Sequence, residues 1–388
     1  MKITDVKADL INIPHRQAVT SASVRTSGLT KVIVQVHTSD GIIGLGEAPG
    51  NEEIRAAVLR VGESFLKGKD PFDIERIVEM MPGPHKGLYG PNSTVQSALE
   101  IALWDIMGQS VHRPVCELLG GRYRDRIQIC APIFDTSGSS DPVMAQIESA
   151  QVAAQQFGFT AFKPKAGVGK PGSEVAVVAA LRKALGDEVN IRVDPNGIWS
   201  VDESIRIARR MEEYDLEWLE DPVWGIEGTA RLRSSIHTPI ATNMFVRNFD
   251  QLPVAVRLNA VDVVLGDPRI WGSILATKKL AHACEGMALG FCMHSSSELG
   301  IAMAAKLHIA ASTPNLVYAI DATCWFHSGD IVAGWTPRVE GGMIAVPTSP
   351  GLGVALDNES LRRYKALHEQ EGDYHAQHTY PLRPHWWY

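Results

Sequence analysis

Seven residues able to bind a hard cation or move a proton close seven short apolar runs between positions 161 and 321. The runs are Ala161–Lys165, Ile191–Asp194, Glu217–Glu220, Pro239–Asn243, Val261–Asp267, Leu289–His294 and Val317–Asp321. Asp194, Glu220 and Asn243 supply oxygen donors only, with no Cys or His among them. That set suits Mg²⁺, which takes few protein ligands and keeps positions for substrate oxygens. Two carboxylates and one neutral amide just balance the ion, which therefore remains a Lewis acid for an anionic substrate. A single Asp or Glu at a strand-to-helix junction is often a helix cap. Three in succession at even spacing favour the metal reading.

Lys163 and Lys165 stand two apart on a strand and so point to one face. Inside a barrel that face is the interior, where a lysine is costly without a purpose. Mutual repulsion and a nearby cation are expected to lower their pKa towards that of a working base. Pro164 between them cannot donate to a ladder, which weakens the strand locally. Asp267 ends one run and His294 the next. An Asp that accepts from one imidazole nitrogen fixes the tautomer and leaves the other nitrogen as base or acid. Asp321 is placed to meet a substrate hydroxyl or carboxylate, or else to cap a loop. Glu298 is expected as a first-turn helix acid. Lysine on one flank, histidine on the other and oxygen ligands beneath make a site for removing the proton α to a carboxylate. That proton is too weakly acidic for an unaided base, and a cation on the carboxylate stabilises the ene-diolate left behind.

The same spacing indicates the scaffold. The run ends recur at intervals of roughly 23 to 29 residues. A (β/α) barrel of eight units spends roughly 30 residues on each and gathers all strand carboxyl ends at one rim. The alternation begins near Ile127–Ala131, and helices are expected at 142–156, 174–185, 202–214, 228–234, 272–285 and 298–312. Before it, residues 3–13 read as a strand, and Lys31–Thr38 with Ile42–Glu47 as a hairpin about Asp40-Gly41. Pro14–Thr30, polar and carrying Arg16 and Arg25, is expected to be a lid loop, with Arg25 as a contact for a second substrate carboxylate. Helices are expected at 52–67, 70–81 and 92–108, with a Gly/Pro linker at 82–91. Strands and then helices, without alternation, indicate a small α+β domain. The fold class expected is therefore α/β: a modified (β/α) TIM-type barrel with an N-terminal α+β capping domain completed by the C-terminal segment. The divisions are 1–125, 126–335 and 336–388, the last returning to the capping domain or to an interface in a homo-oligomer.

The composition agrees with such an enzyme. The chain has 388 residues, 45% of them hydrophobic and 21% charged, with a net charge of −7. This suits a folded two-domain protein and argues against nucleic acid as partner. No apolar run reaches the length of a membrane span and the amino terminus lacks a signal-peptide core, so a cytoplasmic location is expected. The five cysteines form no CxxC pair and read as reduced thiols. Cys292, close to His294, reads as a buried strand residue rather than a nucleophile.

The ordered motifs Lys163-Pro164-Lys165, Val193-Asp194-Pro195-Asn196-Gly197, Leu219-Glu220-Asp221-Pro222, Ala241-Thr242-Asn243-Met244, Gly266-Asp267-Pro268 and Met293-His294-Ser295 resemble the enolase superfamily. Gly44-Leu45-Gly46-Glu47 fits as well. Within the mandelate racemase and muconate lactonizing branch, Asn as third ligand looks most like the glucarate dehydratase group. The resemblance implies Mg²⁺ at Asp194, Glu220 and Asn243. It implies Lys165 as one base assisted by Lys163, and His294 with Asp267 as the opposite base and acid. It implies substrate contacts at Asn196 and Asp321. Thr323 stands where the resemblance implies a histidine. The expected activity is dehydration of an acid sugar, an aldarate or aldonate, to a 2-keto-3-deoxy acid. The alternatives are a racemase or epimerase using the same bases, and an inactive acid-binding barrel.

Overall fold

The computed structural model describes residues 1–20, 24–82, 91–134, 142–167, 171–374 and 377–378. Most of the Gly/Pro linker and the aromatic end of the tail lie outside them. Strand β1 (Ile3–Thr20) pairs antiparallel with β2 (Val24–Thr38), which pairs with β3 (Ile43–Pro49). Gly41 takes the positive φ, +80°, that the β2–β3 turn requires. Of the expected lid loop over 14–30, residues 14–20 and 24–30 instead form the outer half of the β1–β2 pair, with Val19 opposite Thr26 and Thr20 opposite Arg25, and 21–23 lie outside the described residues. A register shift between Pro14 and Val19 breaks the alternation by which a strand is read from sequence. The β-branched Val19, Thr20, Val24, Thr26 and Thr30 nevertheless favour extended backbone.

Helix Pro91–Ser110 packs on β3. A Cβ at Gly44 would collide with the carbonyl oxygen of Ala102, and one at Gly46 with that of Ala98. Only glycine lets the strand approach that helix so closely. The helix expected at 52–67 runs as α-helix only over Glu52–Val61 and then widens into a π turn.

Eight parallel strands form the second body: β4 (Arg126–Ile133), β5 (Ala161–Pro164), β6 (Asn190–Val193), β7 (Trp218–Glu220), β8 (Ile240–Thr242), β9 (Val263–Gly266), β10 (Gly290–Met293) and β11 (Ile320–Asp321). Their order is β10-β9-β8-β7-β6-β5-β4-β11. A bridge between Phe291 and Leu316, just ahead of β11, brings the two ends of this sheet together. The result is a nearly closed barrel with an N-terminal capping region. The expected barrel helices form, and Gln251–Arg257 adds one that periodicity does not mark. Its Pro253 sits in the first turn, where an N–H has no helical partner to lose. Glu298 lies ahead of the expected helix rather than in its first turn, because that helix begins at Gly300.

After the barrel, Met343–Ala345 pairs antiparallel with β4, helix Asn358–Glu371 packs on β1, and Gln377–His378 pairs with β2. Three buried carboxylates tie the capping region to the barrel and to the segment beyond it. Glu47 on β3 accepts from Leu299 N at 2.8 Å and Ala302 N at 2.9 Å. Glu100 accepts from Ile274 N at 2.8 Å and Leu275 N at 3.1 Å, and Asp105 from Leu352 N at 2.8 Å. Glu47 and Glu100 thereby satisfy the free N–H groups that open two barrel helices. Burial pushes Glu100 up to about 7 and Asp105 up to about 6. Among the described residues no helix is long and apolar enough to cross a membrane.

Candidate active site

Strand β5 carries Lys163 into the barrel, where it is 2% exposed. Its Nζ donates to Glu220 Oε1 and Oε2, each at 2.9 Å, and to Asp321 Oδ2 at 2.5 Å. Burial penalises this ammonium, but Asp321 and Glu220 outweigh the penalty and hold its pKa well above the ordinary value. The expected lowering does not occur at Lys163, because an acid faces it from each side. Lys165 extends β5 and bridges to Asp194, and its Nζ donates to Asp194 Oδ2. Pro164 does not break the strand: Ile133 pairs with it, and Lys165 N donates to Ile133 O at 2.9 Å.

Asp194, Glu220 and Asn243 stand at the ends of β6, β7 and β8, all buried. Asp194 Oδ1 accepts from Asn196 N at 2.9 Å, and Asn196 Nδ2 donates to Asp194 Oδ2 at 3.1 Å. Asn196 and Gly197 take positive φ, +52° and +74°, so this turn folds back over the carboxylate. Burial alone would raise Asp194, but Lys165 and Lys163 hold it below the usual range. Asn243 Nδ2 donates to Glu220 Oε1 at 2.7 Å, which leaves the amide oxygen as its remaining metal donor. Asp221, buried just past Glu220, accepts from Thr242 Oγ1 at 2.5 Å and from Asn243 N at 3.0 Å. Burial first, then the charges of Glu220 and Asp194, push it up to about 8. The carboxylates where these strands end are met by lysines, Glu220 by Lys163 and Asp194 by Lys165. Two carboxylates and an amide oxygen from adjacent strand ends are hard donors that fit a divalent cation in the place the ammonium groups now take. Among the described residues no three His, Cys, Asp or Glu side chains form a metal-holding group.

The opposite flank belongs to β9 and β10. His294 Nδ1 lies 3.3 Å from Asp267 Oδ2. Asp267 is buried, which alone would raise its pKa; the hydrogen bond from His294 and the charge of Arg269 bring it below the usual range. Asp321, on β11, is held at about 2: burial works against this, and Lys163, Arg192 and His294 override it. In the ring of eight strands, β5 and β10 are separated by β4 and β11 on one side and by four strands on the other. Lys165 and His294 therefore follow the ends of well-separated strands of the ring, with Asp321 on the short arc between them.

Arg25 is different. It is exposed near the outer end of the hairpin, paired in register with Thr20 and Gln377, rather than within this buried group. Cys292 is fully buried and its thiol is pushed up to about 12, chiefly by burial, as a core residue rather than a nucleophile would be. Sequence reasoning missed Arg192. Its fully buried guanidinium lies under the site, 3.8 Å over the Trp218 ring and 2.5 Å from Glu217 Oε2, and reaches Asp321 Oδ1 at 3.5 Å. Its signal was present: Arg192 is two before Asp194 on one strand and so shares its face. Asp221 was also passed over, although it doubles the acid at Glu220.

Comparison with known proteins identifies the family. Residues 2–120 match the family model for the mandelate racemase / muconate lactonizing enzyme N-terminal domain, and residues 145–360 that for the enolase C-terminal domain-like family. A Streptomyces coelicolor protein named as a probable glucarate dehydratase is 33% identical, over 93% of this chain and 90% of its own. The N-succinyl-L-Arg/Lys racemase of Bacillus cereus is 27% identical, over 93% of this chain and 97% of its own. The crystal structure of an enolase from Thermobispora bispora, complexed with magnesium and formate, superposes with a TM-score of 0.89 at 32% identity, covering 97% of this chain and 95% of that one. The two family models, which together span most of the chain, and the 33% identical relative show that this chain is a member of the enolase superfamily.

Proposed function

We propose that the protein is a Mg²⁺-dependent dehydratase of an acid sugar, an aldonate or aldarate. The observation that supports this reading is that Lys165 and the His294–Asp267 pair follow well-separated strands of one ring, with acids of the intervening strands between them. Asp194, Glu220 and Asn243 would hold the cation, which when bound acidifies the proton α to the substrate carboxylate. Lys165 Nζ or His294 Nε2 removes that proton, each from its own face. Lys163, kept charged by Asp321 and Glu220, holds positive charge next to the reacting carboxylate. His294, protonated by that step or, where Lys165 is the base, from solvent beforehand, gives its proton to the departing β-hydroxyl, which leaves as water, and the enol tautomerises to a 2-keto-3-deoxy acid. Asp267 stabilises the imidazolium between these steps. Asn196 and Asp321 are proposed substrate contacts, and Arg25 one only if the hairpin end reaches a distal carboxylate. The working unit is proposed as a capping domain over 1–125, a barrel over 126–335 and a returning segment over 336–388.

The likeness to glucarate dehydratase supports elimination. The likeness to a racemase keeps a second reading, because two bases on opposite faces also serve epimerisation. The experiment is a screen of mono- and di-acid sugars with Mg²⁺ in D₂O. Keto-acid formation is the expected result. Deuterium uptake at the α-carbon without keto acid would replace dehydration by epimerisation, and neither signal on any acid would remove both.

A further inference from the structure

The loop after β10 carries His294 and then three serines, Ser295 to Ser297. Two of its polar groups close the loop on itself: Ser295 Oγ donates to Glu298 Oε2 and Ser296 N to Glu298 Oε1, each at 2.7 Å. The Ser296 side chain does something else. Its Oγ receives Arg269 Nε at 2.8 Å and contacts Asp267 Oδ2. Arg269 Nε can only donate, so the Ser296 oxygen accepts there and its proton goes to Asp267. The other oxygen, Asp267 Oδ1, is taken by Arg269 N at 2.8 Å. Asp267 is thus gripped at both oxygens before His294 is considered.

The grip has a consequence for the imidazole. An ionised carboxylate only accepts, so His294 must bring N–H to Oδ2 from Nδ1, and Nε2 is left bare for chemistry. The backbone of Ser296 is clamped too, since Lys31 Nζ of the capping region reaches its carbonyl oxygen at 3.3 Å. Ser296 is therefore held at its N–H by its own loop, at its C=O by β2 and at its hydroxyl by the turn after β9.

We propose that Ser296 is a positioning residue for the base: it aims the Asp267 carboxylate so that His294 stands in the Nδ1–H tautomer. The proposal rests on the reading of His294 as a proton-transfer group. Arg269 sets the polarity of the hydroxyl, and Lys31 links the posture of the loop to the capping region.

The test uses full-length Ser296→Ala and Ser296→Thr with ¹⁵N-histidine labelling, and His294→Asn to assign the ring signals. Long-range ¹H–¹⁵N spectra read the tautomer with no substrate present. The wild type and Ser296→Thr are expected to show Nδ1–H with a bare Nε2, and Ser296→Ala a mixture of tautomers. On an acid that the screen shows to react, Ser296→Ala is expected to lower kcat about 10- to 100-fold with KM nearly unchanged, the loss of one hydrogen bond to a carboxylate. Its pH profile should shift on the limb of the histidine, and Ser296→Thr should restore both. If Ser296→Ala does not fold, Ser296→Cys, a much weaker donor of similar size, carries the same readouts. An unchanged tautomer in the alanine or cysteine variant would overturn the proposal. A wild type inert towards every acid would instead overturn the proposed function, while the spectra would still judge Ser296.

Discussion

Lys165 and His294 divide the proposed chemistry between two faces, so their loss should differ from loss of a metal ligand. Lys165→Met and His294→Asn are each expected to abolish keto-acid formation, a fall of at least roughly 100-fold for a lost acid–base group. Mg²⁺ binding by calorimetry should persist in both, and Asn243→Ala should weaken it. Turnover by either base variant at the wild-type rate would end the mechanism. At this scale the sequence is readable wherever a side chain closes an apolar run, because the strand end alone dictates where it points. It is unreadable where a residue acts through a neighbour. Asp221 fixes Asn243 from the adjacent strand, and Arg192 works beneath Asp321 from 129 residues away. The face that Arg192 shares with Asp194 is readable, but the distant partner it reaches is not. The raised pKa of Lys163 escapes a sequence reading for the same reason: the charges it meets come from Glu220 and Asp321, not from its own strand.

Helix starts are where elements of the two regions interlock, and this makes one element sensitive to pH. Glu100 closes the start of helix Ile274–Gly286 and carries a pKa pushed up to about 7 by burial, against an ordinary 4.5. The native state therefore keeps a proton that the unfolded chain releases as pH rises above 4.5. Stability should fall as pH rises through the window from 4.5 to 7, and the part due to Glu100 is on the order of 3 kcal/mol. Glu100→Gln should flatten urea-denaturation free energies across that window; an unchanged slope would count against the assignment. Asp105 adds a parallel dependence below about 6. The barrel strands and most of their helices are legible because period and spacing are local. The long hairpin is not, since the shift at Pro14–Val19 hides its alternation, and neither is helix Gln251–Arg257, whose Pro253 reads as a breaker.

At the scale of the whole molecule, the capping region and the barrel share buried charge. Lys31 and Glu47 form an ion pair at 3.4 Å, with Lys31 also on Ser296 O and Glu47 on the start of helix Gly300–Ala311. Breaking one side of such a buried pair costs about 3–5 kcal/mol. Glu47→Ala is therefore expected to lower the thermal midpoint of both regions together, in one calorimetric transition. Two separated transitions in the wild type would show that each region folds alone.

Exchange of lids between relatives is then constrained by more than the shape of the pocket. A chimaera joining a foreign cap to this barrel would need acids at the counterparts of positions 47 and 100 and a lysine at that of 31. A graft lacking them would leave two helices with bare amide starts and the histidine loop with a loosened anchor, however well the new cap suited its substrate.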